Sequence, residues 1–298
     1  MKTPRVSVGM PVYNGERFLG PAIEAVLAQT YGDLELVIAD NASTDATPDI
    51  CRAYAARDRR IRYVRNATNI GAAGNFNRVF RLSAGEYYKL ANADDLCAPE
   101  LVARCAAVLD AHAGTVLCYA RATLIDERGD AIGPYEDGLD LRSPSAPDRF
   151  RAALYGIGLV NVFQGLVRSS ALRRTRLLGS YLASDVLLIE TLTLHGCFHE
   201  LPERLFLRRL HAGAASSLRS TVSRLAYLDP TIRRPSAPVG WRHLRERLVT
   251  IAGAPCSPRE KAALLGIAAR KAIADRHRLL GELADWTRGT ARRWVPAR

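Results

Sequence analysis

Apolar and polar positions in the first 126 residues switch repeatedly between two spacings. "RVSVGMPVY" (5–13) is a β-branched, mostly apolar run ending in polar residues, the pattern of a buried strand. "ERFLGPAIEAVLAQT" (16–30) follows with Phe18, Leu19, Ile23, Val26 and Leu27 at helical spacing. "LELVIAD" (34–40) reads as a second strand that stops at Asp40. "DATPDICRAYAARD" (45–58) reads as a helix, with Thr47 as its cap and Pro48 in its first turn. The pattern then predicts a strand over 61–66, a helix over 71–84 and a strand over 86–92. A helix from Pro99 to about His112 and a strand over 116–126 complete the run.

Such alternation predicts an α/β fold, a mostly parallel, doubly wound sheet with helices on both faces. Ligands of these sheets sit beyond the carboxyl ends of the strands. Polar residues collect there: Tyr13 and Asn14, Asp40 and Asn41, Asn69, then Asp94 and Asp95. One such residue is an ordinary turn or cap. Four clusters in chain order point to one shared crevice. No GxGxxG joins the first strand to its helix, and no GxxxxGK[ST] loop occurs. "GIGLVN" (156–161) is a partial glycine pattern outside that context.

"KLANADDLCAPE" (89–100) sets Asp94 beside Asp95. Adjacent carboxylates repel unless something positive sits beside them. The bland alternative is that Asp95 caps the helix opened by Pro99.

Taken in order, "PVYNGERFL", "LELVIADNASTD", "NIGAAGNFN" and "NADD" resemble the family 2 glycosyltransferases, strongly over 5–125 and weakly to about 215. The resemblance implies the Rossmann-like GT-A fold and inverting transfer from a nucleotide-sugar donor, a UDP-sugar or dTDP-sugar. It implies that Pro11, Val12, Tyr13 and Asn14 cradle the base, with Glu16 close by. By the same match Asp40 accepts a hydrogen bond from the base imide, and Asn41, Asn69, Gly71, Asn77, Asn92 and Ala93 join the donor-binding set. Asp94 matches the aspartate that holds Mn²⁺ or Mg²⁺, with Asp95 next to it, and hard oxygen ligands suit those ions. Asn92 stands where the family usually has aspartate, and its amide still forms hydrogen bonds without charge. Asp185, in "YLASDVLLIETLTLHG" (181–196), matches the catalytic base, with Ser184 in place of the usual acidic neighbour. Both residues also suit a helix N-cap. "LRRLHAGAAS" (207–216) is similar to a loop that closes over the diphosphate. There His211 is a candidate third metal ligand or phosphate contact, and Arg208 or Arg209 a candidate phosphate partner.

Charge divides the chain. The net charge is +12 over 298 residues, and residues 216–298 hold 17 Lys/Arg against 6 Asp/Glu, a net of +11. All three tryptophans, Trp241, Trp286 and Trp294, lie in that part. The expected division is a GT-A domain over 1–215, with donor side 1–125 and acceptor side 126–215, and a basic helical extension over 216–298. In the acceptor side, "GPYEDGLDLRSPSAPDRF" is loop-like, and Gln164 or Arg168 is placed near the acceptor. In the extension, Ser257 and Glu260 form a capping box ahead of a helix. Its apolar stripe is Leu264, Leu265, Ala268, Ala272, Leu279, Leu283 and Trp286. That stripe can pack on the body, form a homodimer or lie on a membrane.

No apolar run spans a bilayer, which argues against a polymer-extruding synthase. The start lacks a signal-peptide core, so the expected location is cytoplasmic, with peripheral membrane contact through the basic tail. The expected acceptor is a glycan, a lipid-linked sugar or a small molecule. Six cysteines without CxxC or finger spacing read as reduced, buried thiols. No nucleic-acid-binding signature appears, so no nucleic acid is expected as partner. A non-catalytic nucleotide-sugar binding module is the competing function, and a nucleic-acid binder using the basic tail the weaker one.

Overall fold

The computed structural model describes residues 3–218, 220–232, 235 and 237–291. The opening alternation is present: β1 (Val6–Val12), α1 (Glu16–Leu27), β2 (Leu34–Asp40), α2 (Thr47–Arg57), β3 (Ile61–Arg65), α3 (Gly71–Leu82) and β4 (Tyr87–Leu90). β1 pairs in parallel with β2 and β4, and β2 with β3. Val6, Val8 and Met10 of β1 face Leu36 and Ile38 of β2 and the buried side of α1, Leu19, Ala22, Ile23 and Val26. Burying such side chains contributes about 1.5–3 kcal/mol each, which is why these short strands are fixed in register.

The second half is less regular. β5 (Leu96–Cys97), α4 (Leu101–Ala111), β6 (Thr115–Ile125), β7 (Ala131–Tyr135), α5 (Ala146–Gly156), β8 (Leu166–Arg168), α6 (Ser169–Arg173), α7 (Ser184–Leu192) and β9 (Cys197–Arg209) follow. The nine strands run β3-β2-β1-β4-β8-β6-β9-β5, with β7 on β6. β8 is antiparallel to both β4 and β6, whereas β6 and β9 are parallel. The sheet is therefore parallel on one side and mixed on the other.

Several boundaries depart from the sequence reading. Thr47 is not the cap of α2; Ala46 is, and the Asp45 carboxylate accepts from the Thr47 N–H at 3.0 Å. α4 starts at Leu101 rather than Pro99, because β5 and the turn after it occupy the intervening chain. Leu207–Arg209 belong to β9, not to a loop. The stretch expected to be loop-like contains α5, which begins at Ala146 with Ser145 as its cap.

The basic tail forms α8 (Thr221–Leu228), α9 (Val239–Gly253), α10 (Pro258–Ala274) and α11 (Arg276–Ala291). Ser257 and Glu260 make the reciprocal capping box. The expected stripe is split. Leu264, Ile267 and Ala268 pack with Ile251 of α9 against Phe150 and Leu154 of α5. Leu279 is buried, Leu265 and Leu283 are exposed, and Ala272 and Trp286 are half-buried. Trp294 lies outside the described residues. No described helix is long and apolar enough to cross a membrane.

Candidate active site

The strand ends of the parallel half open onto a cavity of about 820 Å³. Pro11, Val12, Tyr13, Asn14, Asn41, Asn69, Asn92, Ala93, Asp94 and Asp95 line it, as do Asp185 and His211. The crevice expected at four strand ends thus exists, and distant segments complete it.

Two loops form one edge of it by stitching to each other. The Asn14 N–H donates to Ser43 Oγ at 2.9 Å, and the Thr44 N–H to Asn14 Oδ1 at 2.9 Å. The Gly15 N–H donates to Thr47 Oγ1 at 2.8 Å, and the Ala46 N–H to Glu16 Oε2 at 2.8 Å. Glu16 therefore belongs to the stitching and is not on the cavity wall. Beside it, asparagines interlock: Asn66 Nδ2 donates to Asn41 Oδ1 at 2.8 Å and to Asn75 Oδ1 at 3.1 Å, and Asn41 Nδ2 donates to Asn69 Oδ1 at 2.8 Å. Such a network fixes a polar wall before any ligand arrives.

Three expected donor contacts sit behind this wall. Asp40 is fully buried. Its oxygens accept from the Ser43 N–H at 2.8 Å and the Tyr63 hydroxyl at 2.9 Å, and Arg65 pairs with it at 3.2 Å. Asn77 exchanges hydrogen bonds with the Leu178 backbone, while its neighbour Asn75 lines the cavity. Gly71 has φ +75°, and a Cβ there would lie 2.2 Å from the Leu228 carbonyl oxygen, so its absence of side chain seats α8.

Asp94 and Asp95 diverge. Asp94 Oδ2 meets His211 Nε2 at 3.0 Å. Asp95 instead accepts from the Arg209 N–H at 2.8 Å and from Asn92 Nδ2 at 2.8 Å. It does not cap α4, whose cap is Glu100. Burial and the Asp94 charge push the Asp95 carboxyl up to about 6. Among the described residues no three His, Cys, Asp or Glu side chains converge on one point. The pair left as a candidate cation site is Asp94 with His211, one hard carboxylate oxygen and one borderline imidazole nitrogen. Arg209 is spent on carbonyls: its guanidinium donates to Asp94, Asp126 and Glu127 and stacks over Phe18 at 4.7 Å. Arg208 donates to the Leu159 carbonyl and Asn161 Oδ1, each at 2.6 Å, from the cavity wall.

Asp185 stands at the start of α7, but as a residue of the helix rather than its cap. The cap is Ala183, held at φ +54°. Five described non-glycine residues have positive φ, and three of them, Asn14, Val160 and Ala183, line this cavity. Strain of this kind persists where surrounding structure enforces it, commonly at functional sites. Gln164 lines the cavity, whereas Arg168 does not; it donates to the carbonyls of Thr115, Leu109 and His112. Gln164 Oε1 and Asn161 Nδ2 are buried without a hydrogen-bond partner.

Tyr227 of α8 escaped the sequence reading. It lines the cavity, half of it exposed, and burial together with the charges of Asp94 and Asp185 pushes its phenol up to about 12. It remains a neutral hydrogen-bond donor at working pH. Nothing in "TVSRLAYL" signals this, because only the docking of α8 on Gly71 carries it to the crevice.

Among solved structures, TarS of S. aureus in complex with UDP-GlcNAc matches with TM-score 0.66 and 17% identity, covering 91% of this chain and 73% of that one. The mannosyltransferase PcManGT from Pyrobaculum calidifontis, in complex with GDP-Man and Mn²⁺, matches with TM-score 0.53 and 18% identity, covering 99% and 82%. At such identities the likeness speaks for the fold. In sequence, EpsE of Bacillus subtilis (strain 168) is 39% identical over 110 residues, 37% of this chain and 40% of that protein. The match thus spans less than half of that relative's length. The Glycosyl transferase family 2 profile matches residues 7–172, more than half of the chain and all four strand-end clusters, so the chain belongs to glycosyl transferase family 2.

Proposed function

We propose that this glycosyltransferase moves one sugar, with inversion, from a UDP-sugar or dTDP-sugar to an acceptor hydroxyl. One observation carries the reading: Asp94 with His211, and Asp185, stand on the wall of the same cavity. The nucleotide complexes of TarS and PcManGT support a nucleotide-sugar donor. The base lies along Pro11–Asn14, with the half-exposed Tyr13 ring as its platform. The diphosphate lies toward Asp94 and Arg208.

A carboxylate oxygen and an imidazole nitrogen 3.0 Å apart fit Mn²⁺ or Mg²⁺, which take few protein ligands and fill the rest with phosphate oxygens and water. Such a cation supplies charge neutralisation at the departing diphosphate. Asp185 accepts the proton of the acceptor hydroxyl. That oxygen bonds to the anomeric carbon, the carbon–oxygen bond to the diphosphate breaks, and the nucleoside diphosphate leaves with the electron pair. Tyr227 donates its phenol hydrogen to the donor sugar, which must lie between the two carboxylates. Asn161 and Gln164 lie on the same wall, a polar surface that suits a hydroxyl-rich acceptor.

Calorimetry of UDP, dTDP and their sugars with and without Mn²⁺, beside a product assay, tests donor, metal and catalysis together. Tight donor binding with no transfer or hydrolysis would leave only the non-catalytic module.

A further inference from the structure

α10 and α11 carry two faces. One is packed: Leu264, Ile267, Ala268 and Leu279 are buried against the rest of the chain. The other runs through Ala262, Leu265, Ala269 and Ile273 of α10 and Leu280 and Leu283 of α11, at steps of three and four residues. Leu265 is 45% exposed, Ile273 63%, Leu280 60% and Leu283 41%. Of the fifteen large apolar side chains exposed among the described residues, nine lie between Val222 and Leu283. An ordinary soluble surface scatters such residues; here they cluster on one appendage.

The same appendage holds almost all of the net charge, +11 of +12. Arg259 and Arg270 are exposed and flank the apolar line, and Arg276 lies on it. None of the three has a carboxylate partner among the described residues. The acids of this segment, Glu260, Asp275, Glu282 and Asp285, fall off the line at 100° per residue, and Asp275 is paired with Lys271 and Arg278. Glu282 and Asp285 are tied to Arg278 and Arg288 on their own helix, and Glu260 to the Ser257 cap.

We propose that this face of α10–α11 lies on an anionic lipid surface, with Leu265, Ile273, Leu280 and Leu283 entering the headgroup boundary and Arg259, Arg270 and Arg276 meeting lipid phosphates. Apolar residues interleaved with unpaired cations are the chemistry of an interfacial helix. The charge argues against a second copy as the occupant, because two such faces repel. The active-site cavity plays no part in the proposal.

Sedimentation of the whole chain with vesicles of phosphatidylcholine, with or without phosphatidylglycerol, tests it. The expected result is partitioning onto the anionic vesicles at least about tenfold stronger than onto neutral ones, and largely abolished in about 1 M salt, where screening acts over about 3 Å. Arg270→Gln lowers partitioning roughly fivefold. Ile273→Ser combined with Leu280→Ser lowers it further, with an unchanged unfolding temperature, since both side chains are exposed. Ile132→Ser, an exposed apolar residue of β7, changes nothing. Equal partitioning onto the two vesicle types overturns the proposal, as does wild-type partitioning by the double serine variant. So does a dimer, seen by light scattering, that the double variant splits while vesicles bind neither form.

Discussion

The two sides of the cavity are held together in different ways. On the side of β1 and β2, parallel strands end in side chains that bond across their loops: Asn14 with the 43–44 loop, and Asn41 with Asn66 and Asn69, although Asn14 has a left-handed backbone and Asn66 Oδ1 is buried without a partner. On the other side, β8 is inserted antiparallel, Val160 and Ala183 have left-handed backbones, and Asn161 and Gln164 keep unpartnered polar atoms. The first side is fixed by loop-to-loop hydrogen bonds, whereas the second rests on a strand inserted against the parallel direction. Loops already bonded to each other lower the ordering cost of binding.

The comparison breaks most visibly at Asp185. Asp185→Asn should cut transfer by about 10²–10⁴-fold while donor affinity stays the same, the range expected for loss of a positioned base. Turnover near that of the native enzyme would remove Asp185 from the chemistry. Asp94→Ala should abolish the Mn²⁺ dependence of donor binding, at a cost of about tenfold or more, as a titration at fixed Mn²⁺ would show. An affinity that remains metal-dependent would place the cation elsewhere.

A third test asks whether the wall beside Asn161 stores unfavourable burial. Asp137, beside the turn that holds Asn161, is buried, and burial pushes its carboxyl up to about 6. The folded state then holds this proton more tightly than the unfolded state, whose carboxyl titrates near 4. Stability should fall as pH rises from about 4 to about 6 and level off above, by at most about 3 kcal/mol from this group. Asp137→Asn should flatten that decline; denaturant melts of both proteins at several pH values read the difference. Parallel pH profiles would show that the carboxyl is solvated. Gly71→Ala is a matching probe of the seam. It adds a Cβ at positive φ against the Leu228 carbonyl and should cost about 1–3 kcal/mol in thermal unfolding. The smallest effect is expected for Tyr227→Phe. It loses one hydrogen bond, roughly two- to tenfold in affinity for the sugar nucleotide, with no change for the nucleoside diphosphate alone.

Most of the crevice at the ends of β1 to β4 was legible because its signals are local. Strand ends in a parallel sheet face one crevice, so Tyr13, Asn14, Asn41, Asn69 and Asp94 could be grouped from order alone. The differences there are ones of facing. Asn75 rather than Asn77 reaches the cavity, and Asp40 is sealed behind Tyr63 and Arg65, because a period-3.6 helix and a buried loop decide facing, not spacing. Arg168 was misplaced for a different reason. β8 has only three residues, too short for a periodic pattern, and its direction between β4 and β6 is set wholly by neighbours.

By itself the sequence determined the alternating half of the sheet, the strand-end chemistry, the capping box at Ser257 and the concentration of positive charge in the last helices. Each follows from local periodicity, capping chemistry or composition, which act over a few residues. Only the tertiary structure decided that His211 reaches Asp94 rather than Asp95, that Gly71 makes room for α8, and that Tyr227 joins the cavity. Those contacts join residues more than a hundred positions apart, and nothing in either segment encodes its partner. They exist because burying the apolar faces leaves few ways for the pieces to fit.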